Sequence, residues 1–112
     1  MKARYILNAT CFDKKGRVIS TGSNFYNKTH PIQAHFAKLA GQPYRTKLHA
    51  EIHALLLAKG KDIHTLLVTR YDAQGKPRLA KPCPVCVSAI IAYGVKKVIY
   101  TTNEGTEEVT IQ

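Results

Sequence analysis

Acidic residues are scarce in this chain: seven Asp and Glu stand against 17 Lys and Arg in 112 residues, a formal charge of +10 at pH 7. Three of the seven, Glu104, Glu107 and Glu108, fall at the end of the chain, so residues 1–103 carry +13. A field of that sign favours nucleotides, nucleic acid or anionic surfaces as partners and speeds their encounter without choosing among them. Cysteine is also sparse and unevenly placed, with Cys11 alone and Cys83 and Cys86 as a C-x-x-C pair. Three cysteines exclude a disulfide framework and leave metal binding or redox chemistry for the pair. Cys11, inside an apolar run, reads as a core residue. No apolar run approaches the ~20 residues of a membrane span, and the opening "MKARYILNATCFDKKG" turns polar too early for a signal peptide. The expectation is a soluble, cytoplasmic protein with no membrane partner. Neither repeats, low-complexity tracts nor a linker divide the chain, so residues 1–112 are expected to form a single domain.

What is present alternates between strand and helix patterns. Residues 3–12 and 16–24 are β-prone runs joined by "DKKG", a hairpin turn. Pro31 opens a helix that Gly41 stops, with Ile32, Phe36 and Leu39 as its apolar face. A second helix runs from about His49 until Gly60 ends it. Residues 62–72 form a third strand. Residues 82–94, bracketed by Pro and Gly, form a helix showing Val87, Ile90 and Ile91 to the core. Residues 95–102 form a fourth strand. A fifth, at 108–112, follows a turn too short for a crossover helix and should therefore be antiparallel to the fourth. Such an order gives a two- or three-layered α/β domain around one mixed sheet.

The stretch "HAEIHALLLA" at 49–58 is nearly all apolar, yet its first turn holds His49, Glu51 and His53. A buried carboxylate without a partner costs several kcal/mol, so Glu51 either faces solvent or has work to do. His49, Cys83 and Cys86 each fall in the first turn of a helix that follows a loop. One imidazole and two thiolates are three good zinc ligands, one short of a closed structural site, which leaves a fourth position for water. Helix N-termini favour the thiolate forms. A carboxylate two residues past the ligand histidine is placed to take a proton from that water and pass it to a leaving group.

The pattern H-x-E, here "HAE" at 49–51, followed about thirty residues later by P-C-x-x-C, here "PCPVC" at 82–86, resembles the zinc-dependent cytidine and deoxycytidylate deaminase superfamily. The resemblance spans essentially the whole chain. It implies a cytidine deaminase-like α/β/α fold of three layers, with about five strands in one mixed sheet and the zinc motifs on core helices. It also implies one catalytic zinc on His49, Cys83 and Cys86, Glu51 as proton shuttle, and hydrolytic release of ammonia from a cytosine-type base. "GSNFYN" at 22–27 is similar to the family's G-x-N-x-x-N loop, which makes Asn24 a candidate for binding the sugar or base. The N–H of Ala50 would hold the base carbonyl, and the carbonyl of Lys81 would accept from the amino group. Tyr26 stands where nucleoside deaminases commonly have a ribose-binding glutamate, and His49 where they tend to have cysteine. The first departure counts against a free nucleoside, and the second makes the ligand set similar to that of the deoxycytidylate, tRNA and polynucleotide deaminases; the short link between the last two strands resembles the nucleoside enzymes instead.

Three readings remain at this point. The first is the nucleotide deaminase. The second is a deaminase of cytosine or adenine in single-stranded DNA or RNA, supported by the charge. The third is a nucleic-acid binding module with structural zinc, which needs a fourth ligand such as His53 and leaves Glu51 idle. Lys28, Arg45, Lys47, Lys76, Arg78 and Lys81 precede the motifs and suit a phosphate-bearing ligand. Phe25, Tyr26 and Tyr44 are candidates for stacking on a base. A homo-oligomer is expected, since relatives often complete the pocket across subunits.

Overall fold

In the computed structural model, which describes residues 6–24, 29–44 and 48–111, the first two runs pair as the expected hairpin. Strands β1 (Ile6–Phe12) and β2 (Val18–Ser23) are antiparallel. The Asp13 carboxylate closes the turn between them, accepting from the backbone N–H of Lys15 and Arg17 at 2.9 Å and from Arg17 Nε at 2.8 Å. Asp72 does the same after strand β3 (Thr65–Tyr71), accepting from the N–H of Gln74 and Lys76 and from Arg78 Nε. In both turns the backbone hydrogen bonds, with the arginine beside them, hold the carboxyl below its ordinary value.

A depressed folded-state pKa means that the unfolded chain binds the proton more readily. The stability from these turns is therefore fully present above the unfolded aspartate value of about 3.9 and is lost as pH falls through the lower folded value. Carboxyl resonances of Asp13 and Asp72 are accordingly expected to titrate below that of an exposed aspartate in an NMR titration.

The helices are α1 (Pro31–Leu39), α2 (Ala50–Leu57) and α3 (Pro84–Ala92), and the chain continues through β4 (Lys97–Thr102) and β5 (Gly105–Thr110). The sheet order is β2-β1-β3-β4-β5, mixed as expected: β1 is antiparallel to β2 and β3, β3 is parallel to β4, and β5 is antiparallel to β4. Strand β5 begins at Gly105, earlier than the expected residue 108, because Gly105 pairs with Thr102 and leaves only Asn103 and Glu104 for the turn. Its glutamates lie on an exposed edge strand, where charge discourages edge-to-edge association.

Strands β2, β3 and β4 share one direction, so both helical crossovers step the same way along the sheet. Crossovers of one hand then lie on one face. On that face α2 packs over Ser20 and Gly22, and Ile90 of α3 lies with Val98 and Tyr100. The opposite face, with Thr10, Leu67 and Ile99, is half-buried. The described residues thus supply two of the three expected layers, the sheet and one layer of helices.

Core positions differ in part from the sequence reading. Cys11 is fully buried, as expected. In α1, Phe36 is buried but Leu39 is 66% exposed, and Gln33 and Ala37 take the inner face. In α3, Ile90 is buried, whereas Val87 and Ile91 are exposed and Val85, Cys86 and Ala89 point inward. This helix is apolar nearly all round, so periodicity alone cannot choose its face. Cys86 chooses it, and Ala89 and Ile90, three and four residues on, follow.

Candidate active site

Helices α2 and α3 bring the two motifs together at their N-termini. His49 is the N-cap of α2 and Cys83 the N-cap of α3, and neither side chain caps its own helix. Residues at these positions ordinarily accept from the first N–H groups. Here both side chains turn toward each other instead: His49 Nδ1 lies 3.2 Å from Cys86 Sγ and 3.6 Å from Cys83 Sγ. All three donor atoms lie within 4.8 Å of one another. Zn–N and Zn–S bonds of about 2.0–2.1 and 2.3 Å in tetrahedral geometry separate N from S by about 3.6 Å. The site fits zinc, and the cluster supports one Zn2+.

Cys83 is pulled down to about 3, chiefly by its hydrogen bond with Cys86 and further by His49, against the opposing effect of burial. Cys86 is pushed well above the usual thiol value by that same bond, by burial and by the Glu51 charge. A divalent cation held there would favour the thiolate form of both.

Glu51, in the first turn of α2, is 5% exposed, and its Oε1 has no hydrogen-bond partner among the described residues. Burial raises its pKa, while a backbone hydrogen bond and the charge of His49 oppose the rise. An orphaned carboxylate oxygen beside three metal donors is what a site for a reacting water leaves. Of the two sequence alternatives for Glu51, solvent exposure is excluded.

His53 is not in the metal cluster. Its Nδ1 accepts from the N–H of Ser23 at 3.1 Å, tying α2 to the end of β2, and it is not the fourth ligand that a structural zinc would need. Among the described residues, the cluster has no fourth protein ligand that would close it as a structural site. His53→Ala is expected to retain one zinc per chain while losing about 0.5–1.5 kcal/mol of stability with the hydrogen bond from the Ser23 N–H. Metal analysis and thermal unfolding of the variant check both halves.

Asn24 directly follows Ser23 and is half-buried, so the same bond fixes the strand end that leads into it. Ala50 is the first residue of α2 and fully buried. Lys81 is exposed two residues before Cys83. Arg78 is committed to Asp72 at 2.8 Å. Tyr26, with Phe25, Lys28, Arg45 and Lys47, lies outside the described residues.

Sequence reasoning missed three residues that position α2. Ser20 Oγ donates to the carbonyl of Ala54 at 2.7 Å, and Gly22 lets the helix backbone approach β2 closely. Gln33 Oε1 accepts from the N–H of His49 at 3.2 Å. The glycine inside a strand pattern was a legible sign of close backbone approach; serine and glutamine carry no such sign.

A comparison with curated proteins finds no match. A family model described as the cytidine and deoxycytidylate deaminase zinc-binding region matches residues 6–102, from the first described strand through β4 and across both zinc motifs. With three zinc donors converging and a buried carboxylate beside them, the chain belongs to this family of zinc-dependent hydrolytic deaminases.

Proposed function

We propose that the protein deaminates a cytosine-type nucleotide, deoxycytidylate foremost, to its uracil form. The observation that carries the reading is the buried Oε1 of Glu51, without a hydrogen-bond partner among the described residues, beside His49, Cys83 and Cys86. Zinc held by those three side chains would supply a Lewis acid that makes water acidic near neutral pH. Glu51 then accepts a proton from water and delivers it to the departing amino group. Water adds its oxygen to the ring carbon, its second proton passes to the neighbouring ring nitrogen as the carbonyl forms, the C–N bond breaks, and ammonia leaves. Burial favours the protonated form of Glu51, which aids the delivery step. The N–H of Ala50 holds the base carbonyl, the carbonyl of Lys81 accepts from the amino group, and Asn24 binds the sugar or base.

The excess of basic residues supports a phosphate on the substrate. The same excess favours a second reading, deamination of a base in single-stranded DNA or RNA. Ammonia release from deoxycytidylate, cytidine, deoxycytidine, 5-methylated analogues and single-stranded oligonucleotides separates them. The first reading expects deoxycytidylate to have the highest kcat/KM; an oligonucleotide turned over faster than every monomer would replace it with the second. A homo-oligomer belongs to this proposal and is read by size-exclusion chromatography with light scattering.

A further inference from the structure

Helix α2 begins with an unusual division of labour. In a capping box, the N–H of the N-cap residue is satisfied by a Glu or Gln at the third helical position. That position in α2 is Ile52, which is fully buried in the core. The acceptor comes from another helix instead: Oε1 of Gln33 in α1 takes the N–H of His49 at 3.2 Å. Gln33 is itself 0% exposed, the one long polar side chain on the inner face of its helix. Burying an amide costs desolvation and rotamer freedom unless its bonds are made, and a Leu or Met would fill the space without that cost.

We propose that Gln33 is a positioning residue for the zinc ligand His49. The backbone of His49 is extended, with φ −83° and ψ 155°, the ordinary N-cap conformation, but its imidazole lies toward the two thiols and does not cap its own helix. The hydrogen bond from Gln33 fixes the peptide nitrogen attached to the Cα that carries the ring, holding Nδ1 within 3.2 and 3.6 Å of Cys86 and Cys83. Helix α1 also packs Phe36 against Tyr93, the C-cap of α3, at the end of that helix opposite to the zinc donors. The inference rests on zinc binding by His49, Cys83 and Cys86 and is independent of which base is deaminated.

The test is zinc affinity of the full chain, measured by competition with a chromophoric chelator, for Gln33→Met, Gln33→Glu and Phe36→Leu. Gln33→Met keeps the volume and removes the acceptor; it is expected to bind zinc roughly 10- to 100-fold more weakly, the usual cost of losing a partner that orients a metal ligand. Gln33→Glu keeps an oxygen at the same reach and is expected to recover most of that affinity. Phe36→Leu loosens the same helix without touching His49 and is expected to bind zinc as the parent chain does. Altered d–d bands of the cobalt-substituted Gln33→Met protein would report the displaced imidazole directly. Parental zinc affinity in Gln33→Met overturns the proposal, as does an equal loss in Phe36→Leu. Failure of Gln33→Met to fold even with excess zinc also overturns it, by making Gln33 a core residue. These readouts do not involve substrate, so a negative activity panel leaves them standing.

Discussion

Glu51→Gln is expected to lower ammonia release by roughly 10²- to 10⁴-fold, the range that a positioned general acid/base contributes. The zinc content should stay at one per chain. The substitution keeps the shape of the side chain and removes its ability to shuttle a proton. Because Glu51 is buried and raised in pKa by desolvation, the native carboxylate is a burden on the fold rather than a support for it. The melting temperature of Glu51→Gln is therefore expected to equal or exceed that of the parent. A residue kept for packing would show the reverse, a loss of stability with activity largely retained. Kinetics, metal analysis and thermal unfolding of one variant thus separate chemistry from structure.

Gly22→Ala carries the largest expected structural effect. A Cβ at Gly22 would stand 2.5 Å from the backbone nitrogen of Ala54 and 2.7 Å from the backbone oxygen of Ala50, with Ala54 Cα at 3.0 Å. All three atoms belong to the backbone of α2, so no side chain can swing aside and the helix itself must move. Overpacking of this kind costs about 3 kcal/mol, or roughly 10 °C in melting temperature for a domain of this size. The movement is also directed at the site, since His49 and Glu51 sit at the same end of α2 as Ala50. Weaker zinc binding is expected to accompany the lost stability. Gly75→Ala serves as the contrast: Gly75 has φ +80° with nothing within 4 Å, so it should cost about 1 kcal/mol through backbone strain alone and leave zinc affinity unchanged. Equal zinc affinity in Gly22→Ala and the parent would mean that the close approach of β2 and α2 does not set the site.

The motifs were legible in the sequence because their chemistry demands particular residue types at fixed spacings. His49, Cys83 and Cys86 could be grouped from their places at two helix starts, and the structure brings them within bonding reach of one ion. The β1–β2 hairpin and the antiparallel β5 followed from loop lengths and turn residues. Helix faces were less legible. Hydrophobic periodicity discriminates only when a polar face exists, and α3 has almost none, so Val87 and Ile91 were expected inside although they are exposed. In α1 the buried Gln33 inverts the usual rule, because its acceptor oxygen serves a donor sixteen residues away in sequence. Such a partner exists only after the chain has folded. The contacts of Ser20 and Ser23 with α2 are likewise a product of packing between elements, and the two serines resemble any others in a polar strand, whereas Gly22 beside them carried a sign of close approach.

The central claim is that one zinc on His49, Cys83 and Cys86, with Glu51 beside it, performs hydrolytic deamination. Titrating the metal-stripped protein with zinc while following ammonia release from the fastest substrate of the panel tests it most directly. Activity should be absent at the start, rise in proportion to added zinc and reach its plateau at one equivalent per chain. Ammonia release by the stripped protein, or a chain that binds one zinc and deaminates no member of the panel, would contradict the claim.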